Sequence, residues 1–280
     1  MGNCSYILNP CDYLVELVNN NNIVEFENYI KEHNSYKYIN AQDVNSINAP
    51  AFTLLQLASA KNHSEIIKIL LNYNAVFSSI YVGKLYFGLT GNINPLHLAT
   101  YEGNLETVEI LLDKVPDIMN QINNHNGVDN KTALHYAIQC SYSSLKRNNS
   151  IKIAELLINK GCLTDCKDIN GKTPLHYAST SGVDVQSLVM LLLSNGASID
   201  LTDSYGKTCL HYAVSYDDSI LATLLISKGA NLHIKDHNGM IPLDYCIKDR
   251  NGNLYEENQL TEIRSIIKHA MNQNQQSNQI

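Results

Sequence analysis

The sequence predicts an all-α fold, a curved solenoid of about seven helix pairs linked by hairpin-like loops. Three observations predict it. A six-residue stretch recurs along the chain: "TLLQLA" from Thr53, "NPLHLA" from Asn94, "TALHYA" from Thr132, "TPLHYA" from Thr173, "TCLHYA" from Thr208 and "IPLDYC" from Ile241. The shared leucines, Leu55, Leu96, Leu134, Leu175, Leu210 and Leu243, follow one another at gaps of 33 to 41 residues. A second apolar block comes after most copies, as "IIKILL", "TVEILL", "IAELLI", "LVMLLL" and "LATLLI", and Gly often closes it, as in "NKGC", "SNGA" and "SKGA".

The copy from Thr173 shows why each element forms. Thr173 suits an N-cap, its hydroxyl accepting from a first-turn N–H. Pro174 stands at the first helical position, where its missing N–H would have no partner anyway. Leu175, Tyr177 and Ala178 then give a short apolar stripe. Asp184 to Asn195 supplies a second helix, and Gly196 suits the left-handed residue that ends it. Before the later copies come the turns "DINGKT", "DSYGKT" and "DHNGMI", in which Gly171 serves a turn needing positive φ. Each helix pair is too short to bury its apolar face alone, so neighbours must stack.

These motifs resemble the ankyrin repeat, whose pattern joins a Thr-Pro-Leu-His helix start to a second helix and a Gly-containing hairpin. The resemblance covers roughly residues 10 to 270. It implies that His97, His135, His176 and His211 bond backbone groups of the adjoining turn and tie repeats together, rather than acting as acids or bases. It implies likewise that Asp168, Asp203 and Asp236 shape turns. Tyr136, Tyr177, Tyr212 and Tyr245 read as core fillers with a wet hydroxyl.

The domain organisation follows. Residues 1–9 form a tail and 10–270 the repeat domain. Within it, 10–50 is a degenerate capping repeat whose Leu14, Leu17, Ile23, Val24, Phe26 and Ile30 make two short helices. Residues 51–240 are the central repeats and 241–270 a C-terminal cap, where Asp244 replaces His and Cys246 replaces Ala. A longer helix from Glu256 to Met271 carries Leu260, Ile263, Ile266 and Ile267, and the polar residues 271–280 read as a disordered tail. Two insertions break the spacing. Residues 76–92 run about eight residues beyond a normal turn. Their alternating Phe77, Ile80, Tyr81, Val82, Leu85, Tyr86 and Phe87 suggest an extended hairpin, either folded on the stack or projecting toward a partner. Residues 140–150, "CSYSSLKRNNS", read as a polar mobile loop.

The bulk composition excludes several function classes. The chain has 280 residues and a net charge of −7, and Lys146 and Arg147 are the nearest approach to a basic cluster, so no nucleic-acid partner is expected. No apolar run reaches membrane-spanning length, and no secretory signal is evident at the N-terminus. Seven cysteines at 4, 11, 140, 162, 166, 209 and 246 show no disulfide framework and read as reduced thiols in a cytosol. Cys162 and Cys166 lack a second ligand pair, so no metal is expected, and no cofactor motif is found.

The expected function is therefore that of a non-enzymatic protein–protein interaction scaffold or adaptor, a cytoplasmic monomer that binds another protein. The resemblance places binding on a concave surface of hairpin tips and inner helices. The tips are Asp129, Asn130, Ile169, Asn170, Ser204, Tyr205, His237 and Asn238. The inner helix ends are Tyr101, Glu102, Thr180, Ser181, Tyr216 and Asp217. Among them Tyr101, Tyr205 and Tyr216 are expected as exposed anchors. The richness in Asn, Ile and Tyr fits an AT-rich genome, and the family is common in intracellular bacteria, large DNA viruses and protists. That analogy adds the reading of a host-directed effector in a host cytoplasm. The alternative is the same scaffold on a membrane, acylated at Gly2 and Cys4 of "MGNCSY", although the myristoylation pattern calls for Ser or Thr where Tyr6 stands.

Overall fold

First helices open on residues that cap them. In this computed structural model the described residues are 10–33, 38–40, 52–77, 80–86, 89–115, 118–125, 128–139, 147–180, 185–247 and 262–277. Their contacts divide the chain into two units, residues 1–140 with 145–162 and residues 141–144 with 163–280. The first unit holds α1 (Pro10–Asn19), α2 (Ile23–Glu32), α3 (Leu54–Lys61), α4 (Ser64–Asn72), β1 (Ile80–Tyr86), β2 (Leu89–Ile93), α5 (Pro95–Glu102), α6 (Leu105–Lys114), α7 (Ile118–Gln121), α8 (Ala133–Gln139) and α9 (Arg147–Asn159). The second holds α10 (Pro174–Ala178), α11 (Val185–Ser194), α12 (Cys209–Ser215), α13 (Ser219–Ser227), a 3₁₀ turn at Pro242–Ile247 and α14 (Glu262–Ser277).

Like packs on like. In the first unit the inner helices form one row, α1 on α3, α3 on α5 and α5 on α8, and the outer helices another, α2 on α4, α4 on α6 and α6 on α9. In the second unit α10 packs on α12 and α11 on α13, while the 3₁₀ turn and α14 close the end against α12 and α13. Leu55, Leu96, Leu134, Leu175 and Leu210 are all buried. The outer helices contribute Ile67, Leu70, Val108, Leu111, Ala154, Leu157, Val189, Leu192, Ala222 and Leu225 to the same cores. Leu243 is only half-buried, because the last copy winds as a 3₁₀ turn instead of an α-helix.

The N-terminal helices bury Leu14, Leu17, Phe26 and Ile30 and leave Val24 exposed, the one-sided pattern of a cap. The hairpin read at 76–92 is present as an antiparallel pair, with Ile80 opposite Ile93, Tyr81 opposite Asn92, Val82 opposite Gly91 and Tyr86 opposite Leu89. Whether its apolar side chains project or pack lies outside the described residues. Residues 140–146 of the second insertion also lie outside them. Its last four residues already belong to α9, since Asn149 donates its side-chain amide to the Gly103 carbonyl at 2.8 Å and Ser150 is buried. The C-terminal helix is described over Glu262–Ser277, and so it runs past Met271 into the segment read as a disordered tail. Ile263 and Ile267 anchor it in the core, and no Gly or Pro follows to end it.

Candidate functional site

The histidines sit at the junction of cap and neighbour. In the second unit the Thr173 N–H donates to His176 Nδ1 at 3.1 Å, and the Thr173 hydroxyl lies 2.9 Å from the same nitrogen. His176 Nε2 reaches the Lys207 carbonyl of the next repeat at 3.1 Å. His211 repeats this, with Nδ1 3.0 Å from the Thr208 nitrogen and Nε2 3.2 Å from the Met240 carbonyl. A carbonyl only accepts, so Nε2 carries the proton and Nδ1 accepts, which fixes the neutral tautomer. The hydroxyl expected to cap a first-turn N–H thus also serves the imidazole, within a capping box formed by Thr173 and His176. In the first unit His97 bonds the Asn94 N–H and the Asn124 carbonyl. Gln56 does the same work without a ring: its Oε1 accepts from the Thr53 N–H at 2.9 Å and its Nε2 donates to the Ile93 carbonyl at 2.5 Å.

Burial lowers the basicity of these rings, against the pull of the bonded carbonyl. His97 is lowered to about 4, and His176 and His211 are also held below the ordinary imidazole range. The unfolded chain, with imidazoles near their usual pKa of about 6.5, takes up protons that the folded chain refuses. This contribution to stability is thus fully present above about pH 6.5 and is lost as pH falls, for His97 through the window down to about 4. The melting temperature is expected to fall between pH 7.5 and 5.5, and His97→Gln to flatten that fall. An unchanged melting temperature across this range would refute the assignment.

The hairpin tips of the second unit are built from one repeated device. Asp168 Oδ1 accepts from the Asn170 and Lys172 N–H groups at 2.9 and 2.7 Å, and its Oδ2 accepts from the Tyr177 hydroxyl at 2.7 Å. Asp203 holds Tyr205 N, Lys207 N and the Tyr212 hydroxyl in the same way, and Asp236 holds Asn238 N, Met240 N and the Tyr245 hydroxyl. These three tyrosine hydroxyls, expected only to be wet, therefore donate to carboxylates. Burial, and then the carboxylate, push the Tyr212 and Tyr245 phenols up. Burial works against ionisation of Asp236, but its donors outweigh it and hold the acid below the usual range. Lys172 Nζ lies 4.6 Å from the Tyr212 ring centre and Lys207 Nζ 4.5 Å from that of Tyr245, so each "GKT" lysine covers the next repeat's tyrosine.

The tips are also joined to one another. The Ser204 N–H donates to the Asn170 carbonyl at 2.9 Å and the His237 N–H to the Tyr205 carbonyl at 3.0 Å. Gly206 makes this approach possible. It has φ +76°, and a Cβ there would lie 2.9 Å from the His237 nitrogen. Gly239 has the same φ but open space around it. Gly206→Ala is accordingly expected to cost about 1–3 kcal/mol more than Gly239→Ala, since both add strain but only one overpacks. Equal losses in urea unfolding would contradict this.

The expected tip residues of the second unit stand on this frame. Ile169, Asn170, Ser204, Tyr205, His237 and Asn238 are all exposed, with Ile169 at 64% and Tyr205 at 59%. At the helix ends Tyr216 and Asp217 are exposed and Thr180 is half-buried, while Ser181 lies outside the described residues. In the first unit Asn130 is exposed, and Asp129, Glu102 and Tyr101 are half-buried. Tyr101 is not the free-standing anchor expected: its ring packs edge-on against Tyr136 at 5.9 Å. Gly2 and Cys4 lie outside the described residues.

The structure places the expected Thr180, Tyr216 and Asp217 in a groove with residues that sequence reading did not single out. A cavity of about 590 Å³ in the second unit is lined by Ser179, Thr180, Ser215, Tyr216, Asp217, Asp218, Ser219 and Ile220. The sequence signal was Ile220, an apolar residue where α4, α6, α9 and α11 carry Glu65, Glu106, Lys152 and Ser187 and α2 carries Val24. Among the described residues no helix is long and apolar enough to cross a membrane.

A family model described as "Ankyrin repeats (3 copies)" matches residues 14–122, 80–147, 121–203, 144–236 and 185–276. No curated protein matches the chain.

Proposed function

Since the chain belongs to the ankyrin-repeat family, we propose that it works as a non-enzymatic scaffold that binds another protein on its hairpin tips and inner helix ends. The observation that carries this reading is the row of tips in the second unit. Its backbone is fixed by tip-to-tip hydrogen bonds, yet it presents Ile169 and Tyr205 largely to solvent. A rigid row with exposed aliphatic and aromatic side chains loses little order on binding and offers the residue types that anchor interfaces. The histidines and carboxylates that would attract a catalytic reading are occupied by backbone groups and phenols. A host-directed role in a host cytoplasm rests on composition and family analogy.

Affinity capture tests the reading. The intact chain and the double variant Ile169→Ser with Tyr205→Ala are used as baits in lysates of a candidate host cell. These surface changes leave stability within about 0.5 kcal/mol and are expected to reduce recovery of a specific protein about tenfold. Equal recovery by both baits would remove the tips from the interface.

A further inference from the structure

The groove at the helix turns of the second unit departs from the repeat pattern at four positions, 216, 217, 218 and 220. Tyr216, 49% exposed, stands where the first unit has Lys61 and Glu102. Asp217 takes the left-handed position, φ +55°, filled elsewhere by Asn62 and Gly103. Asp218 stands where His63 and Asn104 precede their outer helices, and Ile220, 62% exposed, where Glu65 and Glu106 stand. Among the described turns the positions of Tyr216 and Ile220 carry Asn20 with Val24, Lys61 with Glu65 and Glu102 with Glu106, so within the described residues this turn alone sets an aromatic ring and an aliphatic side chain beside two carboxylates.

The polar groups of the groove sort in the same direction. The hydroxyls of Ser179, Thr180 and Ser215 turn back onto their own helix carbonyls, those of Leu175, Tyr177 and Tyr212. Asp218 spends one oxygen capping the Leu221 N–H at 2.9 Å. Beside them Tyr216, Asp217 and Ile220 are exposed and Asp218 is half-buried. Among the described residues no cation lines the cavity. We propose that this groove docks an arginine-bearing extended segment of the partner protein, the guanidinium lying on the Tyr216 ring and paired with Asp217 and Asp218, and an adjacent apolar side chain resting on Ile220. Arginine fits better than lysine because a planar cation stacks on the ring while its fork meets a carboxylate. The inference rests on the scaffold reading above and names the chemistry of one part of that face.

A random peptide library displayed on phage is selected against the intact protein, and the enriched peptides are synthesised and measured by isothermal titration. The expected result is enrichment of peptides with arginine beside an aliphatic residue, binding about tenfold weaker to Tyr216→Ala and to Asp217→Asn and unchanged on the tip variant. Asn keeps the left-handed backbone at 217, so that variant changes charge without straining the turn. Enriched peptides without arginine, peptides indifferent to both groove variants, or no enrichment would overturn the proposal. Peptides lost only on the tip variant would overturn the groove and leave the scaffold reading standing.

Discussion

Leu210→Ala is expected to lower the unfolding free energy by about 2–5 kcal/mol. Leu210 is 1% exposed, on α12, between α10 on one side and the closing 3₁₀ turn on the other. Removing three heavy atoms takes transfer energy and leaves a void whose walls belong to neighbouring repeats, so partial collapse is all that relaxation can achieve. The control is Leu243→Ala, at the equivalent position but half-buried; its loss is expected to be clearly smaller. Urea denaturation followed by circular dichroism measures both. Equal and small losses would mean that the repeated leucines are not the common core.

His176→Leu is the second large effect, at about 2–4 kcal/mol. The side-chain volume changes little. What disappears is the pair of bonds that His176 makes, one to the Thr173 N–H and one to the Lys207 carbonyl of the next repeat. Both backbone groups stay in place, and a buried polar group without a partner costs about 1–3 kcal/mol. The chain itself supplies the rescuing variant, because Gln56 already bridges a cap N–H and the next repeat's carbonyl with an amide. His176→Gln is therefore expected to recover most of the loss. If Gln and Leu destabilised equally, packing of the ring and not its bonding would be what matters.

The repeated leucines, the Thr–His starts and the turn glycines were legible in the sequence because each is set by local chemistry at fixed spacing. The partners of the tyrosine side chains were not. The hydroxyl of Tyr212 reaches Asp203, nine residues back, and nothing in the spacing distinguishes that from a hydroxyl in water. Tyr101 looked like an exposed anchor until Tyr136, 35 residues on, was found against it. The groove's outline escaped for the same reason, since its walls come from the ends of two successive inner helices and the start of α13. The extent of α14 was misjudged because Asn, Gln and Ser neither favour nor forbid a helix strongly, and the buried Ile263 and Ile267 carry the decision.

What unites these points is that a helix pair here has its apolar face completed by the adjacent pair. The most direct test is the circular dichroism of a peptide spanning residues 198–232, which contains α12 and α13 and the turn that follows them. The stacking account predicts a spectrum without helix in water, beside a strongly helical spectrum for the whole chain at the same residue concentration. A helical peptide with a cooperative melting transition would show that the repeat stands alone, and would contradict it.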